Sequence, residues 1–80
     1  KLGDYDKASF YFKKTLEIDP KYSTGFYNEA CIESLLGNKN KSMDLLNKAI
    51  ELDPKYKKLA KNDDDFINLR DDPEFKKIVD

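Results

Sequence analysis

The sequence predicts an all-α fold: antiparallel helix hairpins stacked as a short right-handed solenoid, with short capping helices at the C-terminal end. Three observations predict it. The chain matches itself at a shift of 34 residues. Within each copy, apolar residues recur at helical spacing between backbone breaks. After the second copy a third begins over Lys55 to Lys61 and is cut short, and the tail beyond carries helix-start signals of its own.

The self-match is specific. Leu2, Gly3, Lys7, Lys14, Glu17, Asp19, Pro20, Lys21 and Tyr22 fall on Leu36, Gly37, Lys41, Lys48, Glu51, Asp53, Pro54, Lys55 and Tyr56, nine identities in 21 aligned positions. Asp4/Asn38, Phe12/Leu46, Leu16/Ile50 and Ile18/Leu52 are conservative pairs. A period in this range marks a unit that buries its apolar face only by stacking on its neighbours.

Each element follows from local chemistry. After Gly3, Asp4 is a candidate N-cap, and Ala8, Phe12, Thr15 and Leu16 form one stripe of a first helix. Asp19-Pro20 ends it, because the residue before proline is forced out of the helical region. From Tyr22 to Leu36, Phe26, Ala30 and Leu36 recur at helical spacing beside a strip of Tyr27, Cys31 and Leu35. Gly37 suits a left-handed helix cap. Met43, Leu46, Ala49 and Ile50 mark the next helix, closed at Asp53-Pro54. A short helix is expected over Lys55–Lys61, and a turn or two over Asp64–Leu69 with Phe66 and Leu69 inward. Asp72-Pro73-Glu74 starts a last helix, with Asp as N-cap and Pro at its first position, whose apolar face is Phe75, Ile78 and Val79. Residues 2–22 thus read as the second helix of a truncated repeat, 23–56 as one complete repeat and 57–80 as a capping segment. Lys1-Leu2 reads as the last turn of a helix that begins upstream, and the whole as the C-terminal piece of a longer array.

Composition narrows the function. The chain has 80 residues, 39% of them charged, with a net charge of −1. A chain this short supports one thin core, which disfavours an enzyme with a deep cleft. There is no histidine, the commonest general base and metal ligand. The single cysteine excludes an internal disulfide and a thiolate zinc cage. No apolar run approaches a membrane span or a signal peptide, and the charge balance does not suit a generic nucleic-acid binder. No catalytic residue, metal or cofactor is therefore expected, and a cytoplasmic location is.

Ala8-x3-Phe12 followed by Pro20 resembles the second half of a tetratricopeptide repeat, and Ser42-x3-Leu46 with Pro54 is a looser match. In the first-helix half, Phe26 takes the family's tryptophan slot and Ala30 its small-residue slot. Glu29 and Glu33 stand where the family usually has leucine and tyrosine. They put like charges one turn apart on a face that normally packs, so either that face is exposed or lysines of a neighbouring element meet them. The ending Asp-x-Asp-Phe … Leu-Arg-x-Asp-Pro-x-Phe looks like the terminal segment of many such arrays.

Four features carry possible chemistry of their own. Cys31 has no histidine partner and reads as a small packing or groove-lining residue. Asp63-Asp64-Asp65 with Asp71 and Asp72 lacks the spacing of a calcium loop and reads as capping and solubility. Lys55, Lys57, Lys58 and Lys61 read as a solvated face partly paired with Asp63 to Asp65. Asn40-Lys41-Ser42 is formally a glycosylation sequon, more simply a helix start.

The resemblance implies a non-catalytic protein–protein interaction module that presents a concave groove to a partner peptide or helix. Thr24, Tyr27, Asn28, Cys31 and Lys58 fall on the matching slots, with Tyr27 as the expected anchor. Some members hold a partner's C-terminal carboxylate with lysine, asparagine and arginine. Asn28 and Lys58 match two of those slots, but the arginine slot is Asn62. The alternative is structural, a C-terminal cap with recognition carried upstream. Phe10 and Tyr11 lie off the first helix's stripe, which suggests self-association through Asp4–Ile18.

Overall fold

A computed structural model of the protein describes residues 2–80. The chain forms α1 (Leu2–Ile18), α2 (Ser23–Leu35), α3 (Lys39–Leu52), α4 (Lys55–Asn62), a 3-10 segment (Asp64–Leu69) and α5 (Pro73–Val79). The described residues contain no strand. The all-α expectation holds, and the expectation for Lys1 lies outside the described residues.

α2 and α3 form the central hairpin. Between them Gly37 adopts φ 85°, a conformation that costs other residues steric strain. Its N–H donates to the Ser34 carbonyl, and the Asn38 N–H donates to the Glu33 carbonyl. This pair of bonds closes the helix end and reverses the chain. On the inner face of α3, Ser42, Leu46 and Ala49 are completely buried. The Ser42 hydroxyl donates to the Ala30 carbonyl at 2.7 Å. Small residues at Ala30 and Ser42 let the two backbones approach, and the hydroxyl makes its bond where water cannot. Ser42 is thus a packing residue and not a helix-start residue, while Asn40 stands in the first turn of α3. The cap position belongs to Asn38, whose side-chain amide donates to Glu33.

α1 departs from the expected pattern. It runs unbroken through Gly3 and Asp4, so Asp4 sits inside the helix and is not its N-cap. Glycine permits a break but does not compel one. Gly37, by contrast, reverses the chain between two packed helices. The stripe is also rotated: Tyr5, Ser9, Phe12, Thr15 and Leu16 are half-buried, while Ala8 is exposed. α1 rests on α2 through Phe12 against Phe26, edge to face at 5.3 Å. None of its described side chains is fully buried.

The tail completes the core. α4 contributes Tyr56 and Ala60, the 3-10 segment Phe66 and Leu69, and α5 Phe75 and Val79. Phe66 is the hub, with its ring 5.7 Å from Tyr27 and 5.6 Å from Phe75. Two aspartates start the tail's helical segments: Asp63 accepts from the Asp65 N–H and Asp72 from the Glu74 N–H, each at 2.9 Å. Side-chain acceptors at these positions satisfy donors that the helix leaves unpaired.

Candidate interaction surface

The five residues singled out by sequence divide into two groups. Tyr27 and Cys31, each 8% exposed, belong to the core. The Tyr27 ring stacks on Tyr56 at 4.7 Å, and its hydroxyl donates to Asp63 Oδ2 at 2.7 Å. Burial, and then the Asp63 carboxylate, push its pKa up. Tyr27 therefore does not face a partner as an anchor, because the chain's own tail covers it. α4 ends after about two turns at Asn62, and the continuing chain packs along α2: the Ser34 hydroxyl donates to the Asp65 carbonyl. Cys31 lies under the same segment. Burial, together with Asp63 and Asp65, pushes its thiol up to about 12, so it stays protonated and unreactive.

Thr24, Asn28 and Lys58 remain accessible. Thr24 shares a 2.7 Å hydroxyl–hydroxyl bond with Tyr56. Asn28 and Lys58 line different cavities, so the structure does not bring these two clamp-slot residues to one site.

Lys58 belongs to the face of α4. Lys55, Lys58, Leu59 and Asn62 follow one helical face and, with Asp63, line an open cavity of about 580 Å3. Leu59, 50% exposed, is the apolar residue of that lining. A second cavity of about 570 Å3 shares Lys58 and Asn62 and extends over Lys57, Lys61, Val79 and Asp80. The lysines do not pair with Asp63 to Asp65, as the sequence suggested. Lys55 pairs with Asp53 at 3.6 Å and Lys61 with Asp80 at 3.8 Å. Asp63 is taken by Tyr27, and Asp64 by Arg70 at 3.3 Å. Lys57 and Lys58 have no carboxylate partner among the described residues. Sequence reasoning passed over Leu59. The available signal was an apolar residue one turn from both Lys55 and Asn62 on an otherwise cationic helix.

A third cavity, about 260 Å3, lies between α1 and α2. At its wall is Glu29, one of the two carboxylates that depart from the usual pattern; Glu33 lies one turn further along α2. Neither is exposed: both Glu29 and Glu33 are buried. Glu33 accepts from Asn38 Nδ2 at 2.7 Å and pairs with Lys41 of α3 at 3.5 Å. Burial opposes its charge, but the Asn38 amide and the Lys41 ammonium outweigh it, and its pKa falls. A neighbouring lysine thus meets Glu33, as one of the two sequence alternatives required. Glu29 has a weaker set. Its Oε2 accepts from the Ser9 hydroxyl at 2.7 Å, and its Oε1 is buried without a partner. Burial raises its pKa, the Ser9 bond opposes the rise, and Glu33 adds to it.

Cys31, Asp63 and Asp65 place their ligand atoms within 4.8 Å of one another. The donor chemistry does not suit a cation. Both Asp63 oxygens are already engaged, accepting from the Tyr27 hydroxyl and the Asp65 N–H. The cluster works as the seat of the tail, and the open surfaces offer binding chemistry: ammonium groups, an exposed leucine and amides. No helix among the described residues is long and apolar enough to cross a membrane.

The family model described as Tetratricopeptide repeat matches residues 1–22 and 24–56. No curated protein and no solved structure matches the chain.

Proposed function

The chain belongs to the tetratricopeptide repeat family, whose repeats mediate protein–protein interaction, and from that premise we propose that it is a non-catalytic module that binds an acidic peptide or helix on the open face of α4. The observation that carries this reading is the grouping of Lys55, Lys58, Leu59 and Asn62 around one cavity. An exposed leucine flanked by the ammonium groups of Lys55 and Lys58 suits an apolar side chain beside carboxylates. The apolar contact supplies affinity, and the charges supply orientation and encounter rate. A cytoplasmic setting is part of the reading and accords with a single buried thiol.

The test is an array of peptides that place one leucine or phenylalanine among acidic residues. Binding should weaken as salt rises, and Lys58→Glu or Leu59→Asp should abolish it with helicity unchanged. Captured peptides indifferent to both substitutions would dismiss this surface.

A structural reading has its own support in the Asp63–Leu69 segment, which covers Tyr27, Cys31 and Ser34 and turns Phe66 and Leu69 inward. On that reading the segment closes a helical-repeat array, and recognition lies elsewhere. Self-association through α1 is a separate proposal, supported by the exposure of Phe10, Tyr11 and Ile18. Sedimentation of the chain over a range of concentrations tests it.

A further inference from the structure

We infer that the acidic partner of α4 is a phosphorylated peptide, with a phosphoserine or phosphothreonine over Lys57, Lys58 and Lys61 and an apolar side chain two residues away on Leu59. The inference rests on the α4 reading above for the apolar contact and adds the phosphate.

The two α4 cavities carry different chemistry. The first is lined by Leu59 with Lys55 and Lys58. The second is lined by Lys57, Lys58, Lys61, Asn62, Val79 and Asp80. Lys57 and Lys61 lie one turn apart on α4, and Lys58 stands beside them, so three ammonium groups share one open hollow. Lys61 reaches Asp80 at 3.8 Å, with both side chains more than half exposed, and an ion pair that open to water is weak. Lys57 and Lys58 have no carboxylate within ion-pair distance among the described residues.

The charge of the hollow selects the ligand. Three ammonium groups against the one carboxylate of Asp80 leave a surplus of two positive charges. A glutamate or aspartate side chain answers half of it. A phosphomonoester carries about −1.5 to −2 charges at neutral pH and three strong acceptor oxygens, and lysine meets phosphate as a point charge. Asn62 adds a neutral donor: its amide gives one N–H to the Lys58 carbonyl at 3.2 Å and keeps the other.

The two cavities share Lys58 and Asn62. An extended peptide that crosses both turns every second side chain to the same face, roughly 7 Å apart. That spacing sets the phosphate and the apolar residue two positions from each other.

The internal repeat shows that these lysines are special to α4. At the 34-residue shift, Lys57, Lys58 and Lys61 correspond to Ser23, Thr24 and Tyr27 of α2. In α2 those positions serve helix packing: Thr24 bonds to Tyr56, and Tyr27 is buried against Tyr56 and Asp63. A helix laid on α4 as α4 lies on α2 would bury Lys58 and Lys61 without partners, which is costly. An anion supplies the missing partner. Nucleic acid fits poorly as its source. The exposed aromatics Phe10, Tyr11 and Tyr22 lie on or just after α1, and none lines this hollow for a base to stack on.

The probes are short fluorescein-labelled peptides with phosphoserine two residues before or two residues after a leucine, beside versions with glutamate in its place. Binding to the full chain is read by fluorescence polarisation. One phosphopeptide should bind roughly tenfold more tightly than its glutamate version, as an added charge-assisted contact does. The double variant Lys57→Gln, Lys61→Gln should bring the two to equal affinity, with helicity by circular dichroism unchanged. Vesicles of phosphatidylcholine doped with phosphatidylinositol phosphate should not co-sediment the protein. Equal affinities in the parent chain, or a phosphate preference that survives the double variant, overturn the inference and leave the acidic-peptide reading standing. Absence of binding by every peptide overturns both. Co-sedimentation with the vesicles that the double variant loses overturns the inference by giving the hollow to a lipid headgroup.

Discussion

The Tyr27 hydroxyl donates to Asp63 at 2.7 Å across 36 residues of sequence. This one bond joins the middle of the central hairpin to the start of the tail, and the same carboxylate also caps the 3-10 segment. Removing the hydroxyl alone, with Tyr27→Phe, keeps the ring on Tyr56 and Phe66. It should lower stability by about 1–2 kcal/mol, read by urea unfolding. Tyr27→Ala also empties part of the core and should cost about 3–5 kcal/mol. A stability loss no larger for Tyr27→Ala than for Tyr27→Phe would contradict the buried stack.

Glu29 links stability to pH. Its folded-state pKa lies above the ordinary value, so the folded chain holds that proton more tightly than the unfolded chain does. Its effect favours folding fully below the unfolded value of about 4.3 and is lost as pH rises through the folded value. Glu33 has the opposite sign: its lowered pKa stabilises above the ordinary value, and that gain fades as pH falls. Glu29→Gln keeps an acceptor for Ser9 and removes the buried charge. The variant should melt higher than the parent at neutral pH, with the gap closing toward about pH 4. A constant gap across that range would show that Glu29 does not titrate with folding.

Gly37 gives a backbone test free of packing effects, since a Cβ built there meets no atom within 4 Å. Gly37→Ala must therefore act through the φ of 85° alone. It should cost about 1 kcal/mol in a thermal or urea melt. A neutral or stabilising result would mean that the chain reversal between α2 and α3 does not require this conformation.

Cys31 should be inert while the protein is folded. At pH 8, alkylation by iodoacetamide should run on the order of 100-fold slower than in urea, because the thiolate is scarce and the tail shields the sulfur. Fast labelling of the native protein would place the 3-10 segment away from α2.

The repeat was legible because it is written in breaks as well as in apolar residues: the turn at Gly37, the stop at Asp53-Pro54 and the start at Asp72-Pro73 all sit where the chain order puts them. α1 was less legible. Its rotated stripe depends on which helices flank it, and a periodic pattern does not carry that information when one side is open. The site was the least legible part. Tyr27 and Cys31 occupy groove slots by position, but slot position cannot show that Asp63 and Phe66 will fold back over them. The fates of Glu29 and Glu33 likewise turned on Ser9, Asn38 and Lys41, partners that only the assembled hairpins bring close.

The shallow seating of α1 has a consequence for how the molecule opens. Helices α2 to α5 interlock through completely buried side chains, whereas α1 is attached by half-buried ones. Two tiers of amide exchange follow. Amides of α1 should exchange through a partial opening that leaves the remainder intact, and those beneath Phe66 and Leu46 only when the whole molecule unfolds. Such a division would make the first helix a leaf that lifts at low free energy, exposing more of α2 without dismantling the body it is hinged to.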